Sequence, residues 1–160
     1  MKISATTALC LSLAAFSGAA ALPAAAREVT ITTEMKSYGG DGAYLALYLT
    51  DAQGAYQGTL WVSGRKSKYW KHLSDWYRAT GGAPEGIDAI TGASTGAGRT
   101  LTVTVDLADA LIDAGYQIRL DSAVEDVGDH PAEIVAPLET AGKGQSSSGK
   151  GFVNSLRYDF

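Results

Sequence analysis

Tyr44-Leu45-Ala46-Leu47-Tyr48-Leu49-Thr50, then Asp51-Ala52-Gln53-Gly54, then Gly58-Thr59-Leu60-Trp61-Val62-Ser63 reads as two strands joined by a turn. The flanking runs are short, apolar and rich in aromatic and β-branched residues, and Asp and Gly supply the turn chemistry between them. Outward from this hairpin the same grammar repeats. Glu28–Met35 is β-branched and polar at every second place, which predicts a half-buried strand. Further short, turn-bounded runs follow at Arg99–Asp106, Gly115–Ala123, Ala132–Leu138 and Gly151–Phe160. Such a series predicts a mainly β chain, an antiparallel Greek-key (Ig-like) β-sandwich with one short helix. The helix is expected over Ser67–Arg78, where Tyr69, Leu73 and Trp76 recur at helical spacing as a core stripe and Thr80-Gly81-Gly82 ends the run. Residues 142–150, Gly-Lys-Gly-Gln-Ser-Ser-Ser-Gly-Lys, have the composition of a flexible loop.

The amino terminus carries an address. Lys2 precedes an uncharged, Ala-rich run from Ala8 to Leu22, and Leu22-Pro23-Ala24-Ala25-Ala26 places small residues before charged Arg27-Glu28. This is the layout of a secretory signal peptide over residues 1–26, cleaved near Ala26/Arg27, with one domain over 27–160 exported to a periplasm. A spanning helix needs about 20 strongly apolar residues, and this run is broken by Gly18 and Pro23, so the protein is expected not to be membrane-embedded. The one cysteine, Cys10, lies inside the signal, which leaves the expected mature chain without disulfides or thiolate ligands. The formal charge is −4, and no Lys/Arg cluster is long enough to track a phosphate backbone, which argues against nucleic acid as a partner.

Asp88-Ala89-Ile90-Thr91-Gly92-Ala93-Ser94-Thr95 is the segment with chemical content. Asp, two residues, Ser or Thr, Gly, Ala, then Ser or Thr resembles the site at which a periplasmic FAD:protein FMN transferase attaches FMN covalently to a hydroxyl. The resemblance implies Ser94 as acceptor, with Gly92 and Ala93 leaving room for a phosphate, Thr91 and Asp88 shaping the turn, and Thr95 as a competing hydroxyl. Trp70 is a candidate aromatic neighbour for the flavin ring. The same letters also describe a Gly/Ser/Thr loop between helix and strand.

The order of features extends the resemblance. The Tyr44–Asp51 strand with its Gly turn, Lys68–Trp76, Ile87–Ser94, and Gly115–Asp126 resemble the DUF2271 family of predicted periplasmic proteins. That likeness implies a small extracytoplasmic β-sandwich encoded near PepSY-type membrane proteins and flavin transferases. Ser94 stands where that family carries Thr.

Other constellations are less pointed. Arg65, Lys66, Lys68 and Lys71 read as a solvated basic face. His72 and His130 lack a diagnostic ligand spacing, even with Asp75 or Asp129 added. Asp121, Glu125, Asp126 and Asp129 lack the order of a calcium loop and read as a solvated turn. No hydrolase elbow appears, and no independent catalytic activity is expected. Two functions follow: a periplasmic redox carrier with FMN on Ser94, exchanging electrons with a PepSY-type membrane partner, or a flavin-free binding or assembly module for a membrane protein.

Overall fold

Strict alternation in a strand sends odd and even residues to opposite faces, so a strand apolar on both faces must be covered on both. The computed structural model describes residues 25–84 and 86–160, and in it every residue of strand β2 (Tyr44–Thr50) is buried. β2 is central in a five-stranded sheet, flanked by β3 (Tyr56–Ser63) and β6 (Gln117–Val124). The outer places are held by the two-residue β4 (Thr91–Gly92) beside β3 and by β7 (Gly128–Pro137) beside β6. The second sheet has four strands in the order β5 (Thr100–Ala108), β1 (Ala26–Met35), β9 (Val153–Asp159), β8 (Ser146–Ser148). The described residues thus form a mainly β sandwich of two sheets with a single short α-helix. All strand pairs are antiparallel except β3 with β4, which run parallel through Val62/Thr91 and Ser63/Gly92.

Leu45, Leu47 and Leu49 of β2 face the four-stranded sheet and join Val29, Ile31, Val103, Ile118, Leu120 and Leu156 in the inter-sheet core. Tyr44, Ala46 and Tyr48 face the other way, where the segment between β3 and β4 lies across the sheet. That segment contributes Trp70, Leu73, Trp76 and Ile87 to a second apolar layer. At roughly 1.5–3 kcal/mol for each large side chain taken from water, the two layers together make β2 the keystone of the fold.

The helix expected over 67–78 is in fact two pieces. A 3-10 turn spans Ser67–His72 and an α-helix, α1, spans Ser74–Ala79, with Leu73 between them at φ −83°, ψ 68°. The break has a tertiary cause: the Asp121 carboxylate, wholly buried in β6, accepts a hydrogen bond from the Trp76 N–H at 2.8 Å and so caps the first turn of α1 from another element. Asp121 is therefore no part of a solvated acidic turn. It also accepts from the Tyr48 hydroxyl at 3.1 Å and from the Ala132 N–H at 2.8 Å. Ala132 sits at φ 42° in a bulge of β7 opposite Asp121, where the pairing register slips between Leu120 and Ser122.

Residues 142–150, expected as a flexible loop, hold strand β8 and the start of a hairpin into β9. The polar side chains suit an edge strand, because pairing is done by the backbone. One carboxylate secures the turn: Glu133 Oε1 accepts from the Gly151 N–H at 2.7 Å and the Val153 N–H at 2.9 Å, while Lys36 Nζ donates to the Gly149 carbonyl at 2.9 Å. The Asp51–Gly54 turn forms as expected, with Asp51 Oδ1 accepting from the N–H groups of Gln53 and Ala55 and Gly54 at φ +82°. The expected signal segment lies outside the described residues apart from Ala25 and Ala26.

Candidate functional site

The Asp88–Thr95 segment lies where several strand ends meet. A 3-10 turn over Asp88–Ile90 is closed by the Thr91 hydroxyl donating to the Asp88 carbonyl at 3.1 Å, and the Asp88 side chain is exposed. Gly92 is then fixed in β4, its carbonyl accepting from the Gly64 N–H at 2.9 Å. A Cβ on Gly92 would lie 2.6 Å from Trp61 Cζ2, so glycine is required here by the packed indole of β3. That is a structural demand of the sheet, where the motif alone suggested room for a phosphate.

Thr95 is fixed equally firmly. It forms a reciprocal backbone pair with Ala43, N–H to carbonyl at 2.9 and 2.7 Å. The Tyr38 hydroxyl accepts from the Ala43 N–H at 3.0 Å and donates to the Thr95 carbonyl at 3.1 Å, stapling both strands. Burial raises the Tyr38 pKa, which keeps it a donor. The Thr95 side chain is buried, its hydroxyl 3.2 Å from Ser63 Oγ. Between the two anchors only Ala93 and Ser94 are exposed. Ser94 Oγ rests against Gly42, where a Cβ would approach it to 2.7 Å. Of the two adjacent hydroxyl residues, Ser94 is the exposed one.

Trp70 belongs to the outer apolar layer. It is 9% exposed, meets Trp76 edge to face at 6.0 Å, and donates from Nε1 to the Gly64 carbonyl at 2.7 Å. Gly64 in turn holds Gly92, so Trp70 supports the strand end to which the motif is pinned. Trp76 is wholly buried, its Nε1 donating to Thr59 Oγ1 at 2.9 Å, and Leu73 is wholly buried too. Tyr69, expected with them, is only half-buried.

Tyr69 instead walls a cleft of about 440 Å³ at the same sheet end. Tyr44, Tyr69 and His72 line it together with the β6–β7 turn, Val124 to Asp129, to which Tyr69 and His72 are hydrogen-bonded. Tyr44 and Tyr69 meet at 5.5 Å and 59°. The Tyr69 hydroxyl donates to Glu125, and Lys68 Nζ stands 4.6 Å over the Tyr69 ring. Contact with Tyr69 raises the Lys68 pKa. The basic face is thus engaged with an aromatic ring at Lys68. His72 Nδ1 pairs with Asp129 Oδ2 at 2.9 Å, whereas His130 packs edge to face on Phe152 at 4.9 Å, so the two histidines serve different surroundings. The cleft was invisible in the sequence. Its lining residues come from separate stretches of the chain, Tyr44, Tyr69 and His72, and the β6–β7 turn, which no local pattern joins.

A family model, described as predicted periplasmic protein, matches residues 26–155, from the first residue of β1 into β9. The chain belongs to the DUF2271 family. Its match takes in both sheets and the whole Asp88–Thr95 segment. No curated protein and no solved structure matches the chain. Among the described residues no helix is long and apolar enough to cross a membrane.

Proposed function

We propose that this DUF2271 chain is a periplasmic redox carrier bearing FMN on the Ser94 hydroxyl, exchanging electrons with a PepSY-type membrane partner. One observation carries the reading: Ser94, the motif's last hydroxyl residue, is exposed on a two-residue step whose ends, Gly92 and Thr95, are hydrogen-bonded into the sheet. Such a step presents a nucleophile to a transferase without unfolding the strands around it. Attachment forms a bond from Ser94 Oγ to the FMN phosphorus of FAD. The pyrophosphate bond breaks, AMP leaves, and the serine proton passes to a base of the transferase. The residues present suit the group: Ser94 is exposed, Gly42 adds no bulk beside it, and the neighbouring Thr95 hydroxyl is withdrawn. Once attached, the flavin supplies reversible one- and two-electron chemistry. The chain's own part is to hold, orient and partly shield it.

The test is intact mass after co-expression with an FAD:protein FMN transferase, for the wild type, Ser94→Ala and Thr95→Ser. Addition of one FMN to the wild type and to Thr95→Ser, and none to Ser94→Ala, is expected. An unmodified wild type, under conditions where a known substrate is flavinylated, overturns the carrier and leaves the flavin-free binding module.

A further inference from the structure

The Gly39–Gly42 run separates Ser94 from the tyrosine-walled cleft by very little. A Cβ on Gly42 would touch Ser94 Oγ at 2.7 Å, and one on Gly40, two residues back, would touch Val127 at 3.2 Å and Val124 at 3.4 Å. Both valines line the cleft. Gly40 and Gly42 themselves lie at most about 7 Å apart along the chain, and with the contacts to Ser94 and to the valines added at its two ends the span is of the same order as a phosphate with its ribityl arm. The cleft volume of about 440 Å³ falls within the usual range for sites that hold planar organic ligands. Val127 is 55% exposed at its rim, one of two large apolar side chains that the described surface leaves open.

From this juxtaposition we propose that the cleft lined by Tyr44, Tyr69 and the β6–β7 turn seats the isoalloxazine ring of a flavin tethered at Ser94. The ring enters over Gly40, covers Val127 and lies against Tyr69. The occupant is the chain's own tethered group, so the effective concentration is set by a short arm and a shallow cleft suffices to hold it. Glu125, Asp126 and Asp129 rim the cleft. Carboxylates there disfavour added negative charge, so seating in this cleft shifts the flavin to lower potential than a ring left in water.

The inference rests on the carrier reading, and its test separates the two. Flavinylated wild type, Tyr69→Leu, Val127→Lys and a control at the far end of β6, Tyr116→Leu, are compared by intact mass, flavin fluorescence yield and anisotropy, and midpoint potential. Tyrosine contact quenches flavin emission, so Tyr69→Leu is expected to brighten it several-fold. Val127→Lys, an exposed position that leaves the core intact, is expected to lower anisotropy by displacing the ring. Tyr116→Leu should match the wild type. If all four proteins carry one FMN with the same yield, anisotropy and potential, the ring does not occupy the cleft and the carrier reading stands without it. If none carries FMN, the carrier reading fails and the cleft assignment falls with it.

Discussion

Asp121 is the residue whose role is furthest from its local appearance. In a chain position that reads as the start of an acidic run, it is wholly buried and serves three donors on three elements: Tyr48, Trp76 and Ala132. Burial raises its pKa, with Asp75 adding to the same direction, while the three hydrogen bonds pull the other way. Burial of the Tyr48 hydroxyl next to this carboxyl pushes its pKa well above the ordinary tyrosine value. Asp121→Ala strands two N–H groups and a hydroxyl, and is expected to cost about 3 kcal/mol or more, read as a lower urea midpoint at unchanged slope. The pH dependence has a definite sign. A carboxyl whose folded pKa is raised binds its proton more tightly when folded, so its contribution falls as pH rises from about 3.9 through the folded value. The stability gap between wild type and Asp121→Asn should therefore move against the wild type over that window, and a gap that is flat with pH would contradict it. At the site itself, Gly92→Ala forces a Cβ against Trp61 and is expected to cost about 1–3 kcal/mol, seen as a lower melting temperature.

At the scale of elements, the α1 layer and the β8–β9 hairpin respond differently to change. Trp76→Ala empties a wholly buried site under α1 and should cost about 3–5 kcal/mol, enough to unfold a marginal domain. Glu133→Ala removes the acceptor for the Gly151 and Val153 N–H groups and the partner of the Ser122 hydroxyl. Residues 146–153 should then exchange their amide hydrogens roughly tenfold faster or more, for a loss of about 1–3 kcal/mol. Exchange in β2 and β6 should stay slow, and a uniform rise across the domain would refute a local clamp. The seven longer strands were legible because alternation, short apolar runs and the turn residues between them are properties of adjacent residues. β4 was not, since two residues carry no period. β8 was not, since an edge strand of serines has no apolar face to announce it. The helix break at Leu73 was hidden because its cap, Asp121, lies 45 positions beyond Trp76, the residue it caps.

In the whole molecule, β2 belongs to both apolar layers, its leucines in one and its tyrosines in the other. The layers share a strand and should unfold together. Far-UV circular dichroism, which follows the sheets, and tryptophan fluorescence, dominated by the α1 layer, are expected to give one coincident transition, whereas two separated midpoints would show that the outer layer melts alone. The amino-acid sequence by itself determined the class of fold, the Asp51–Gly54 turn, the family and the string of residues that suggests a flavin attachment. All of these are encoded in residues close together in the chain, where spacing and turn chemistry act locally. Tertiary structure alone decided that Ser94 is open and Thr95 closed, that Trp70 is core and Tyr69 stands at a cleft, and that Asp121 is a buried cap. Each of those depends on which distant strand ends are brought together, because burial and hydrogen-bond partnership are set by neighbours in space that alternation along the chain does not specify.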